Sequence, residues 1–89
     1  MKEVDILELA IKTYGEEKQE LKAIEECSEL ITAICHKHIG RKNNIAEEIA
    51  DVSIMLEQLK IINNCGDEVE KIRKEKLDRL YDRIFEKCL

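Results

Sequence analysis

The chain has 89 residues, a formal net charge of -5 and only 3% aromatic residues, which confines it to one small domain over residues 1–89 with a marginal core of its own. An acidic surface without basic blocks or aromatic–basic interleaving argues against a nucleic-acid partner. No apolar run approaches the roughly 20 residues of a membrane span, and Met1-Lys2-Glu3-Val4-Asp5 lacks the apolar stretch of a signal peptide, so the expected location is the cytoplasm, with four reduced cysteines in no CxxC pattern.

With no proline and long runs of Glu, Lys, Leu, Ile and Ala, the composition favours helix, because straight-chain side chains lose little rotamer freedom there. Three glycines divide the chain into four segments. The first runs from about Val4 to Tyr14, with Val4, Leu7, Ala10, Ile11 and Tyr14 on one side and Gly15 as its stop. The second runs from about Glu16 to His38. Gly40 and Arg41-Lys42-Asn43-Asn44 form the next turn, with Asn43 or Asn44 as N-cap. The third runs from about Ile45 to Asn63. After Asn63-Asn64-Cys65-Gly66, Asp67 can cap a fourth helix that continues to near Leu89. The expected fold class is all-α, a four-helix bundle-like protomer.

The third segment carries an anomaly. Ile45, Glu48, Val52, Met55, Leu59 and Ile62 recur at alternating three- and four-residue steps, the signature of a buried stripe. Five are apolar and one is glutamate. A carboxylate in such a row costs several kcal/mol unless it is protonated, paired or bound to a metal. Asp51 lies on the flank of the same stripe. In the second segment Leu21, Ile24, Cys27, Leu30, Ile31, Ile34 and Cys35 form a wide apolar face, where cysteine acts as a small hydrophobe. Glu25, Glu26 and Glu29 crowd the other half, with Lys22 as the only counter-ion within a turn. If the two helices meet, Glu26 and Glu29 face Glu48 and Asp51. Oxygen-only donors with this much charge suit Mg²⁺, or Mn²⁺, rather than zinc. Such an ion would also let an acidic protein receive a phosphate. The levels do not match for straight helices and a tight turn, since Glu26 lies far before the connection and Glu48 just after it. Either the third helix begins late, the connection is long, or the helices are offset.

These residues resemble the MazG-like all-helical nucleotide pyrophosphohydrolases. The family pattern EExxE…ExxD reads here as Glu25-Glu26-Cys27-Ser28-Glu29, eighteen residues, then Glu48-Ile49-Ala50-Asp51. Gly15…Gln19 before the first motif, Glu47-Glu48-Ile49-Ala50-Asp51-Val52 around the second and Lys76-Leu77-Asp78-Arg79-Leu80 near the end extend the likeness along nearly the whole chain. The resemblance implies a homodimer or homotetramer that hydrolyses a nucleoside triphosphate between its α and β phosphates. It implies Glu26, Glu29, Glu48 and Asp51 as metal ligands and Glu25 as the residue that orients or deprotonates water. Lys76 and Arg79 resemble the basic residues that bind the phosphates.

Other readings compete. Cys35-His36-Lys37-His38 offers two zinc ligands on one face, too few for a structural site. Ferritin-like di-iron chemistry needs Glu-x-x-His on two helices, and neither acidic motif has the histidine. A non-catalytic helical oligomerisation or nucleotide-sensing module is the alternative from another functional class.

Overall fold

A left-handed glycine ends the first helix. At Gly15, φ is +94°, a conformation open to a residue without Cβ. Its N–H bonds to the Ile11 carbonyl at 2.8 Å, and its own carbonyl accepts the Gln19 N–H at 3.1 Å, so one residue closes α1 and opens α2. The computed structural model describes residues 1–88 and contains α1 (Glu3–Tyr14), α2 (Glu16–His38), α3 (Ile45–Ile62) and α4 (Gly66–Cys88). Among the described residues there is no strand, and no helix is long and apolar enough to cross a membrane. α2 ends in a Schellman turn: Gly40 adopts φ +73°, while Arg41 and Gly40 donate to the carbonyls of His36 and Lys37 at 2.8 and 3.1 Å. Asn64, at φ +48°, closes α3 in the same way through Cys65 to Lys60 at 3.0 Å. The fourth helix begins one residue before Asp67, which therefore sits in its first turn rather than capping it.

α2 and α3 form the central hairpin, with α1 laid against both. Gln19 bonds to Gln58 and Glu26 lies beside Glu48, so position rises along one helix as it falls along the other. The pair is antiparallel. Glu26 lies twelve residues before the end of α2, about 18 Å at 1.5 Å per residue, whereas Glu48 is only about 4.5 Å into α3. Residues 39–44 must therefore return about 13 Å along α2, which six extended residues can span. A long connection and an offset pair thus resolve the mismatch of levels.

The face that α2 turns inward is not its widest apolar one. Gln19, Ala23, Glu26 and Ala33 are buried, a row of small and polar side chains that lets the helices approach closely. Leu21, Ile24 and Ile31 are 57%, 67% and 62% exposed. Cys27 is half-buried and Cys35 exposed. α3 does bury the expected row, with Glu48 and Met55 each 5% exposed and Ile45, Val52, Leu59 and Ile62 half-buried. Among the described residues the buried apolar set is Leu7, Ala23, Ala33 and Met55.

α4 leaves this core. Among the described residues it contacts α3 alone, and every side chain from Lys71 to Lys87 is exposed. The radius of gyration is 16.4 Å, against about 12 Å for a compact chain of this length.

Candidate metal centre

Three glutamates meet across the α2–α3 seam. Glu26 and Glu29 are one turn apart on α2, and Glu48 comes from the buried row of α3. A carboxylate oxygen of each lies within 4.8 Å of the others. Glu26 is 7% and Glu48 5% exposed, while Glu29 opens to solvent. The two buried carboxylates share a pattern. Glu48 Oε1 accepts a hydrogen bond from Asn44 Nδ2 at 2.7 Å, and Glu26 Oε1 is held by Lys22 Nζ at 3.3 Å. Their second oxygens, Glu26 Oε2 and Glu48 Oε2, are buried without a hydrogen-bond partner.

That arrangement is unfavourable as it stands. Two carboxylate oxygens within 4.8 Å of each other repel by roughly 3.5 kcal/mol or more at an effective dielectric of 20, and a buried polar atom left unpaired costs about 1–3 kcal/mol more. The charge of Glu26, then partial desolvation, then the charge of Glu48 push the Glu29 carboxyl above its ordinary range. Among the described residues Lys22 is the one cation paired here. Its bond to Glu26 and the charge of Glu25 raise its own pKa, yet it is half-exposed and reaches only one of the three glutamates. The donor set is all oxygen and carries up to three negative charges, with two unpartnered atoms inside it. A hard dication fits those requirements.

The other acidic residues of the motif stand apart from this group. Asp51 is half-buried on α3, but it is not among the carboxylates drawn within 4.8 Å of one another. Its side chain is one methylene shorter than glutamate and points about 60° around the helix from Glu48. Glu25 is exposed, its carboxylate 3.9 Å from Lys22, because it lies about 100° around α2 from Glu26. Lys76 and Arg79 are not brought to the carboxylates within one chain. Both stand on the exposed length of α4, which touches α3 and not α2; an apolar stripe without an inward partner has nothing to draw that helix across the hairpin. Among the described residues no group of three ligands includes Cys35 or His38.

Two features of the seam escape a sequence reading. Asn44 is the residue before α3, but its amide holds Glu48 four positions on, while Asn43 Oδ1 accepts the Ile45 N–H at 3.3 Å. Gln19 Nε2 donates to Gln58 Oε1 at 2.7 Å in a buried amide pair. The i, i+4 spacing of Asn44 and Glu48 was the available signal for the first. Gln58 lies off the apolar stripe of α3, so periodicity did not point to the second.

No family model, curated protein or solved structure matches the chain. The geometry of the three glutamates and the spacing of the two acidic motifs are therefore what a functional reading has to stand on.

Proposed function

We propose that this chain is a Mg²⁺-dependent nucleoside-triphosphate pyrophosphohydrolase of the MazG-like type, with Mn²⁺ as a possible substitute, working in the cytoplasm as a homodimer or homotetramer. It would cut between the α and β phosphates and release a nucleoside monophosphate and pyrophosphate. The observation that carries the reading is the pair of buried, unpartnered oxygens on Glu26 and Glu48, set beside Glu29 on facing helices. An ordinary solvated acidic face would not bury them.

In this reading Glu26, Glu29 and Glu48 hold the ion, and Asp51, one turn further along α3, is the additional ligand that the motif implies. When bound, a dication of this kind offsets triphosphate charge and acidifies a coordinated water. Asn44 and Lys22 fix the orientation of the Glu48 and Glu26 carboxylates through their Oε1 atoms. Glu25, exposed on α2 with its carboxylate 3.9 Å from Lys22, is the residue that the motif implies as orienting or deprotonating water. Lys76 and Arg79 are the proposed phosphate cations, and in a single chain they lie out of reach.

The test is pyrophosphate release from a panel of nucleoside triphosphates with Mg²⁺. Glu26→Gln and Glu48→Gln should abolish it while the helix content stays unchanged; full turnover in either variant contradicts the assignment. A helical oligomerisation or nucleotide-sensing module is the second reading, favoured by the outward apolar face of α2 and the exposed stripe of α4. Under that reading thermal stability responds to protein concentration but not to Mg²⁺, or to nucleotide without any product.

A further inference from the structure

A buried amide pair records how α2 and α3 are aligned. Gln19 and Gln58 are 8% and 4% exposed, and Gln19 Nε2 donates to Gln58 Oε1 at 2.7 Å. In an antiparallel pair, each residue forward on one helix is matched by one residue back on the other, at the same rise. Seven residues on from Gln19 is Glu26, and seven back from Gln58 is Asp51; three further each way stand Glu29 and Glu48. Seven residues fall only about 20° short of two turns, so Gln19 shares a face with Glu26, and Gln58 shares one with Asp51. The hydrogen bond therefore puts Glu26 at the level of Asp51 and Glu29 at that of Glu48, about 10–15 Å from the amides themselves. Glu26 and Glu48 then lie within a turn of each other, where their oxygens meet.

The apolar part of the seam is far less selective. Its buried members are Ala23 and Ala33 on α2 and Met55 on α3, and among the described residues no large side chain is fully buried. Small residues and a flexible methionine repack readily after a shift. Repulsion among Glu26, Glu29 and Glu48 favours any shift that parts them. The connection permits one: sliding α3 four residues toward the end of α2 shortens the return of residues 39–44 by about 6 Å. Glu48 would then stand level with Ala33 and Glu26 with Met55, and the cluster would be dispersed. The same slide sets Gln58 against Ala23 and Gln19 against Ile62. Both buried amides would lose their partner, and that penalty opposes the slide.

We infer that Gln19 and Gln58 are positioning residues for the carboxylate centre: their hydrogen bond selects the helix alignment in which Glu26, Glu29 and Glu48 converge. They touch neither the ion nor the glutamates and act through the register of the two helices. A buried polar contact that specifies register, at little gain in stability, is the best-attested use of such groups between helices. The inference rests on the metal-binding part of the proposed function and not on the substrate or the reaction.

The test separates stability from metal affinity. Gln19→Met/Gln58→Met removes the hydrogen bond, keeps both side chains unbranched and of similar length, and leaves no amide unpaired. Its helix content by circular dichroism should match wild type, and its urea midpoint in EDTA should equal or exceed that of wild type. Its Mn²⁺ dissociation constant, read by electron paramagnetic resonance at fixed pH, should rise about 5- to 10-fold, because only a fraction of the molecules holds the competent alignment. Gln19→Lys/Gln58→Glu puts a donor back on α2 and an acceptor on α3 without changing the net charge, and should bind Mn²⁺ within about threefold of wild type. Wild-type Mn²⁺ affinity in the double methionine variant overturns the positioning role and leaves the metal centre standing. Loss of helix content or of stability in EDTA in that variant also overturns it, since the pair would then be a general support of the fold. A folded Gln19→Lys/Gln58→Glu protein that binds as weakly as the methionine variant overturns it too, because the bond would not be the agent. Wild type without saturable Mn²⁺ binding overturns the metal centre itself, and the positioning role with it.

Discussion

Replacing Glu48 by glutamine should make the metal-free protein more stable. The change keeps the volume of the side chain, and the amide oxygen can still accept from Asn44, which now holds Oε1 at 2.7 Å. It removes one of two carboxylates lying within 4.8 Å of each other at 7% and 5% exposure, a repulsion of roughly 3.5 kcal/mol at an effective dielectric of 20. It also turns an unpartnered acceptor into an amide donor beside the unpartnered Glu26 Oε2, which relieves part of a further 1–3 kcal/mol or so. Allowing for water and side-chain relaxation, the expected gain in EDTA is about 2–4 kcal/mol, a rise in Tm of roughly 8 °C or more for a domain of this size. With saturating Mg²⁺ the order reverses, because wild type gains binding free energy that the variant forfeits. The assay is urea denaturation of both proteins at equal chain concentration, with EDTA and with Mg²⁺. A variant less stable than wild type in EDTA refutes the argument, for it would mean the buried carboxylate is already satisfied by the protein.

Because the Glu29 carboxyl is raised from its ordinary value of 4.5, the folded chain holds this proton more tightly than the unfolded one. Its contribution favours folding below that value and is lost as pH rises through the raised pKa. EDTA-treated wild type should therefore lose stability over that interval, Glu29→Gln should flatten the loss, and Mg²⁺ should cancel it; identical pH profiles for the two proteins contradict this. Lys22→Met removes the partner of Glu26 and should lower metal-free stability while raising Mn²⁺ affinity several-fold, since the ion no longer competes with an ammonium; calorimetric titration checks the second effect. Gly40→Ala meets no atom within 4 Å but must hold φ at +73°, so it should cost about 1–2 kcal/mol in urea denaturation and leave metal affinity unchanged.

The helix ends were readable because their punctuation has a local cause: Gly15 and Gly40 occupy backbone regions that side chains disfavour, and the breaks occur within a residue or two of where those signals put them. Glu48 was readable too, as the single acid in an otherwise apolar stripe that the fold does bury. The inward face of α2 was not. That helix has two usable faces, one broad and apolar and one of Gln19, Ala23, Glu26 and Ala33, and local periodicity does not say which of them the neighbouring helix will take. Close approach of α3 favours the small row, which leaves the large side chains outside. The place of Lys76 and Arg79 was unreadable for a related reason, since a motif near the chain end gives a distance along the sequence and α4 finds no partner within its own chain. Asn44 was legible as the residue before a helix, but its amide serves the carboxylate instead of the backbone.

The most direct test of the central claim is Mn²⁺ binding followed by electron paramagnetic resonance in wild type and in Glu26→Gln/Glu48→Gln. The account predicts saturable binding by wild type at an all-oxygen site and its loss in the double variant, with the same helix content in both. Equal Mn²⁺ affinity in the two proteins, or no saturable binding by wild type, would contradict it.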